Sequence, residues 1–123
     1  MSYPFYKIMH FVGIFVMLVA LAATCMHAVM GGTKADNPLR KALGAAHGVA
    51  ALLILTGGFG MLARLGIVQG GLPVWVMIKL VLWAALAGAI TLPYLSRAWA
   101  RTLLVAMPVL AALAGVTALI KPF

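Results

Sequence analysis

The segment between Lys41 and Arg64 constrains this chain more than any other part of it. It is almost entirely apolar, His47 is its only ionisable side chain, and a basic residue stands at each end. A helix of roughly 20 apolar residues crosses a bilayer whose hydrocarbon core is about 30 Å thick. The segment has that length, so it predicts a transmembrane helix.

His47 shares one stripe of this predicted helix with small residues. At about 100° per residue, the stripe contains Gly44, His47, Gly48, Ala51, Leu55 and Gly58. Gly44 and Gly48 have the small-xxx-small spacing that lets a neighbouring helix backbone approach closely. We therefore expect His47 to face protein rather than lipid. A group of three glycines later in the segment, Gly57, Gly58 and Gly60, indicates a kink or close packing.

Three other segments have the same character. The chain has 123 residues, of which 66% are hydrophobic and 8% charged, far from the profile of a soluble globular protein. We predict an all-α fold, a four-transmembrane-helix antiparallel bundle, in one integral membrane domain covering 1–123. The predicted helices cover about 4–30, 38–65, 73–95 and 98–120. Asn37 and Pro38 suit the start of the second helix, and Pro93 is expected to bend or end the third.

The first predicted helix contains the only cysteine, Cys25. The residues around it loosely resemble a lipoprotein cleavage site, but Thr24 is a poor residue at that position and the apolar run continues to Met30. We therefore expect a retained helix. Soft side chains that suit Cu(I) lie together in this stretch: Cys25, Met26, His27 and Met30. Because methionines occur throughout the chain and commonly fill packing gaps, no metal site is predicted.

Four spans place both termini on one side of the membrane, here called side A. The first and third loops then lie on the opposite side, side B. Basic residues are more numerous on side B (Lys34, Arg40, Lys41, Arg97 and Arg101) than on side A (Lys7, Arg64 and Lys121, with Lys79 nearby inside the third helix). The positive-inside rule therefore predicts that side B lies in the cytoplasm and both termini outside it. For the bacterial inner (cytoplasmic) membrane, which we expect here, the termini are then periplasmic.

The formal net charge is +8, because the chain has nine basic residues and a single acidic one. In a membrane protein, such charge indicates contact with the anionic headgroups of the lipid bilayer. Nucleic acid is not expected as a partner, because the basic residues form no cluster on a soluble face.

Two of the three histidines could share a level in the membrane. His27 and His47 both lie toward side B, whereas His10 is roughly 25 Å from His27 along the first helix, at 1.5 Å per residue. A b-type haem between His27 and His47 is chemically feasible. The alternative is that each histidine bonds a backbone carbonyl, a hydroxyl or headgroup water, because consecutive helices usually pack too closely for haem. We expect no cofactor, with haem b as the alternative.

Another group of polar residues gathers near side A. Lys7 and His10 lie early in the first helix, and Lys79 lies early in the third. Together they predict a cationic pocket for a lipid phosphate, a quinone headgroup or an acidic residue of a partner. The simpler interpretation is that Lys79 extends its ammonium group to the headgroup region.

Catalytic patterns are missing from the sequence. Asp36 is the only carboxylate, so paired-carboxylate acid–base chemistry within this chain is excluded. Each helix carries a face of small residues suited to packing against other membrane helices. We predict a small non-catalytic accessory or scaffold subunit that binds other membrane protein subunits in a larger complex. The alternative is a haem- or quinone-associated electron-transfer module.

Two short motifs resemble those of a known family. Lys7-x-x-His10 begins the first helix, Trp75-x-x-x-Lys79 lies in the third, and the last span ends in a basic residue. In these features the chain resembles the SirB-like family of small bacterial membrane proteins. The resemblance implies no enzymatic activity or cofactor, and it marks Lys7, His10 and Lys79 as matching positions.

Overall fold

The computed structural model of the protein describes residues 2–120, with the backbone alone at 68 and 69. Four helices make up most of it: α1 (Tyr3–Val29), α2 (Arg40–Leu65), α3 (Val74–Gly88) and α4 (Arg97–Ile120). Short 3₁₀ segments cover Ile67–Gly70 and Ala89–Thr91. No strand occurs in the described part of the chain. The chain is therefore all-helical, as predicted.

All four helices suit membrane crossing by length and composition, when the 3₁₀ segment is counted with α3 as Val74–Thr91. Most large apolar side chains on their outer faces are exposed, among them Ile8, Phe15, Val19, Val81 and Leu119. Such a surface needs an apolar surrounding, since soluble monomers rarely expose large apolar patches. These features indicate a multi-pass membrane protein.

Two helix boundaries differ from the predicted ones by more than one residue. The second helix begins at Arg40, because Asn37 Oδ1 accepts a hydrogen bond from the Leu39 amide (2.9 Å) and holds a turn before the helix. The third helix ends as an α-helix at Gly88 and as a 3₁₀ turn at Thr91, short of the expected 95. Pro93 has no N–H with which to continue the helical hydrogen bonds.

The closest packing is between α1 and α2, and glycine residues allow the two helices to approach. A Cβ atom on Gly13 would lie 2.8 Å from the backbone oxygen of Ala50. A Cβ atom on Gly57 would lie 2.7 Å from the backbone nitrogen of His10. At both positions only glycine lets the two backbones come so close.

The expected close approach at Gly44 and Gly48 is not made by any described part of the chain. A Cβ atom at either position would meet nothing within 4 Å, and both residues are exposed. Gly48 precedes Ala50 by two residues, so at about 100° per residue it points away from the face that meets α1. His47 nevertheless faces protein, as predicted, with 2% of its surface exposed.

The packed core fills one half of the molecule. α4 contacts both α1 and α3, whereas α2 and α3 make few contacts with each other. The buried core residues come from the second half of α1, the first half of α2, the end of α3 and the start of α4: Met17, Leu21, Cys25, Ala28, Ala50, Ala51, Leu86, Ala89, Ala100, Leu103 and Met107. This is the half toward side B. The half toward side A encloses a cavity.

Candidate functional site

The cavity has a volume of about 630 Å³ and is lined by all four helices. Small-molecule sites in proteins commonly measure about 300–1,000 Å³ and are mostly apolar with a few placed polar groups. Most of the lining here is likewise apolar, including Phe11, Ile14, Leu55, Leu62, Leu80 and Ala114. The cavity therefore has the size and lining of a ligand site.

The depth of the cavity is close to that of one membrane leaflet. On α1 the lining residues run from Tyr3 to Leu18, a rise of roughly 22 Å at 1.5 Å per residue. The hydrocarbon region of one leaflet is about 15 Å thick, half of the bilayer core, and the headgroup layer lies outside it. The lining on α3 ends at Leu86, which also belongs to the packed core. The cavity thus extends from side A to about mid-membrane, where the core closes it.

Lys7, His10 and Lys79 all line this one cavity. The structure therefore brings together the three residues that the sequence placed near side A. The ammonium of Lys7 lies 6.0 Å from the centre of the Phe11 ring, and Lys79 is close enough to His10 to act on it electrostatically. Two cationic side chains at one end of an apolar cavity create a positive potential that attracts an anion.

His10 is held in a defined orientation. Its Nδ1 atom lies 2.7 Å from the backbone oxygen of Ile54, in the facing part of α2. A carbonyl oxygen can only accept, so Nδ1 carries the hydrogen in this bond. His10 is partly buried, and Ile54 also lines the cavity. The contact fixes the ring against the cavity wall.

A separate polar cluster lies at side B, around His27. The ring nitrogen Nδ1 of His27 is 2.8 Å from the hydroxyl of Tyr94, and Nε2 is 3.0 Å from Oδ1 of Asp36. Asn37 Nδ2 donates to the same Tyr94 hydroxyl at 2.8 Å. The cluster therefore joins the end of α1, the first loop and the third loop.

For a neutral His27 ring, the direction of every hydrogen bond in this cluster follows from one backbone contact. The Leu39 amide donates to Asn37 Oδ1, so Nδ2 of Asn37 is the donor toward Tyr94. The Tyr94 hydroxyl then gives its own hydrogen to Nδ1 of His27. His27 in turn donates from Nε2 to Asp36. All of these side chains are satisfied, so the cluster is a structural clasp across side B.

His27 and His47, as placed, do not fit a bis-histidine haem. Both ring nitrogens of His27 already have protein partners, so neither is available to iron. The Nε2 atom of His47 is buried and has no hydrogen-bond partner among the described residues. One histidine with a free nitrogen does not provide the two axial ligands of such a centre.

Metal ligands are not grouped in the described part of the chain. Between residues 2 and 120, no three His, Cys, Asp or Glu side chains lie together as a metal site. Cys25 is buried in the packed core. Met26 and Met30, by contrast, are exposed on the outer surface of α1 and its end, so these soft side chains do not converge on the cysteine.

Trp83 was not singled out by the sequence, yet it lines the deep part of the cavity. Its indole Nε1 donates to the backbone oxygen of Ala51 at 3.0 Å, which links α3 to α2 at mid-membrane. Buried indoles usually find such a partner, but an isolated tryptophan in an apolar helix does not reveal which carbonyl it will meet. The Tyr94–His27 contact was missed for the same reason.

Comparison with known proteins does not assign this chain to a family. No protein-family model matches this chain, and neither the curated proteins nor the solved structures gave a match.

Proposed function

We propose that this chain is a non-catalytic membrane protein that holds an amphiphile with an anionic head in the cavity between its helices. The observation that carries the proposal is the placement of Lys7, His10 and Lys79 around a one-leaflet-deep apolar cavity. The SirB-like resemblance rests on the same three positions. We take the four helices to form an antiparallel bundle that spans the bacterial inner membrane.

The head of the ligand supplies the selectivity. A lipid chain that enters the cavity leaves a bilayer that is equally apolar, so the chain contributes little net free energy. An anionic head between Lys7 and Lys79 gains charge-assisted hydrogen bonds in a region of low dielectric constant. The cavity therefore favours an anionic lipid over a zwitterionic one.

The sparse contact between α2 and α3 supports access from the bilayer. Both helices line the cavity, and the side-chain hydrogen bond that joins them, from Trp83 to Ala51, lies near mid-membrane. Toward side A the two helices can part without breaking that bond. With the termini in the periplasm, as the distribution of basic residues favours, the lipid would come from the periplasmic leaflet.

Native mass spectrometry of the protein in mild detergent tests this function. Phosphatidylpropanol, which is anionic, should form a one-to-one adduct at lower concentration than phosphatidylcholine with the same acyl chains. Lys7→Gln combined with Lys79→Gln should remove that preference. The matched control, Lys34→Gln with Lys41→Gln, removes two lysines near side B and should keep it. Equal binding of the two lipids by the unaltered protein would contradict the proposal.

One further observation favours a second function, that of an accessory subunit. Gly44 and Gly48 form a small-xxx-small pair on an outer face of α2 that nothing in residues 2–120 covers. In a membrane, such a pair suits the close approach of a helix from another protein. We propose that a transmembrane helix of a larger complex packs there. The electron-transfer alternative has less support, because His27 has no free nitrogen for haem.

Native electrophoresis of membranes from the natural host tests the accessory role. The unaltered chain should migrate with a complex of defined size, and Gly44→Leu with Gly48→Leu should return it to the size of the isolated protein. Gly88 is also open and exposed, at the end of α3, so Gly88→Leu is the matched control. Migration of the unaltered chain at its own size would exclude this role.

A further inference from the structure

We infer that the cavity selects an anionic lipid whose head also carries a hydroxyl group, and that His10 accepts the hydrogen bond from that hydroxyl. This inference rests on the proposed lipid-binding function and names the lipid class. It is carried by the contact between His10 and Ile54 together with the donor groups around it.

The first step is the tautomer of His10. Nδ1 donates to the Ile54 carbonyl, which has no hydrogen of its own to give. The neutral imidazole has a single N–H, so its second nitrogen, Nε2, has an acceptor lone pair. The backbone of α2 therefore makes neutral His10 an acceptor toward other partners.

The second step is what surrounds that acceptor. No hydrogen bond from residues 2–120 engages Nε2 of His10, and His10 lines the cavity. A lysine ammonium has three donor hydrogens and no acceptor capacity. The polar end of the cavity thus offers cationic donors from Lys7 and Lys79 and one neutral acceptor from His10.

The third step is the ligand that fits this set. A head with acceptor oxygens alone satisfies the lysines but leaves the acceptor of His10 without a partner in a partly buried place, which weakens binding. A phosphate diester with a hydroxyl on its alcohol supplies both the anionic oxygens and the missing donor. Phosphatidylglycerol has this chemistry. Phosphatidylpropanol has the same charge and the same number of head carbons, but no hydroxyl.

Competition between these two lipids tests the inference. Both are added in equal amounts, with identical acyl chains, to the protein in mild detergent, and their adducts are resolved by native mass spectrometry. We expect the unaltered protein to favour phosphatidylglycerol by roughly 2- to 10-fold, the range for one hydrogen bond. His10→Phe should reduce the ratio to about one and still bind phosphatidylpropanol. His10→Gln should keep part of the preference, because its amide can donate to Ile54 and accept through its oxygen.

The outcomes separate the two proposals. If phosphatidylpropanol binds in preference to phosphatidylcholine but phosphatidylglycerol binds no better, the inference about His10 is wrong and the lipid-binding function stands. If neither anionic lipid is preferred over phosphatidylcholine, both are wrong. A phosphatidylglycerol preference that persists in His10→Phe would assign the hydroxyl to another residue and overturn the inference. The Lys34→Gln and Lys41→Gln control should leave the ratio unchanged.

Discussion

The hydroxyl of Tyr94 lies 2.8 Å from Nδ1 of His27, across 67 positions of the chain. This one bond ties the loop before α4 to the last turn of α1. Because Asn37 donates to the same hydroxyl, Tyr94 both accepts and donates a hydrogen bond. The clasp holds the two loops of side B together at the end of the molecule where the core is packed.

Removal of the Tyr94 hydroxyl should destabilise the fold. Tyr94→Phe leaves both Asn37 and His27 without a partner, so we expect the free energy of unfolding to fall by about 1–3 kcal/mol. Reversible unfolding by sodium dodecyl sulfate in mixed micelles, followed by circular dichroism, measures it. The control is Tyr3→Phe, because the Tyr3 hydroxyl makes no hydrogen bond within residues 2–120. Equal losses in the two variants would show that the clasp contributes nothing specific.

Alanine at Gly57 should also be destabilising. The new methyl group would lie 2.7 Å from backbone atoms of both Tyr6 and His10, so α1 and α2 would have to separate. Overpacking of this kind costs about 1–3 kcal/mol. Gly48→Ala, on an open face of the same helix, should cost nothing. The same unfolding assay compares the two variants, and an equally harmless Gly57→Ala would contradict the close packing of α1 on α2.

Tryptophan fluorescence should locate the bound lipid. Trp75 and Trp83 line the cavity, whereas Trp99 is exposed near side B. One equivalent of phosphatidylglycerol with brominated acyl chains should quench the emission of the protein in detergent. The double variant Trp75→Phe, Trp83→Phe retains only Trp99. Brominated phosphatidylglycerol should quench the emission of Trp99 no more strongly than brominated phosphatidylcholine does. Strong, lipid-specific quenching of Trp99 would place the lipid outside the cavity.

Labelling of single cysteines tests the orientation. Cys25 is buried and is replaced by alanine as the background. In spheroplasts of a bacterial host, a membrane-impermeant maleimide should label Ser2→Cys at once and Ala35→Cys, in the first loop, only after lysis. The Cys25→Ala protein without a new cysteine is the blank. The reverse order of labelling would place the termini in the cytoplasm and the cavity in the cytoplasmic leaflet.

Hydropathy alone predicted the four helical segments. Each segment is apolar over the length of a transmembrane helix. For this reason the apolar segment between Lys41 and Arg64 was enough to predict α2. The grouping of Lys7, His10 and Lys79 followed from depth, because each lies near the side A end of its helix. The depth of a residue follows from its position along the helix and the fixed rise per residue of an α-helix, so it can be estimated from the sequence.

Rotation of the helices was not predictable in the same way. The spacing of Gly44 and Gly48 suggested the inner face of α2, but the closest approach to the backbone of α1 is at Gly57, one of the three glycines for which the sequence indicated a kink or close packing. A glycine pair permits close approach without specifying which face turns inward, and the four faces compete for the same interior. Contacts that depend on rotation and on loop path, such as Trp83 to Ala51, needed the three-dimensional structure.

The division of the molecule into a packed half and a hollow half means that its stability is unequally distributed. Backbone segments surrounded by few buried contacts open locally at a small fraction of the global free energy, whereas core segments open only with the whole fold. The ends of α2 and α3 beside the cavity therefore form a cooperative unit of low stability, attached to a rigid one. We expect them to open locally, on the microsecond-to-second timescale of local unfolding, while the clasp at His27 and Tyr94 stays intact.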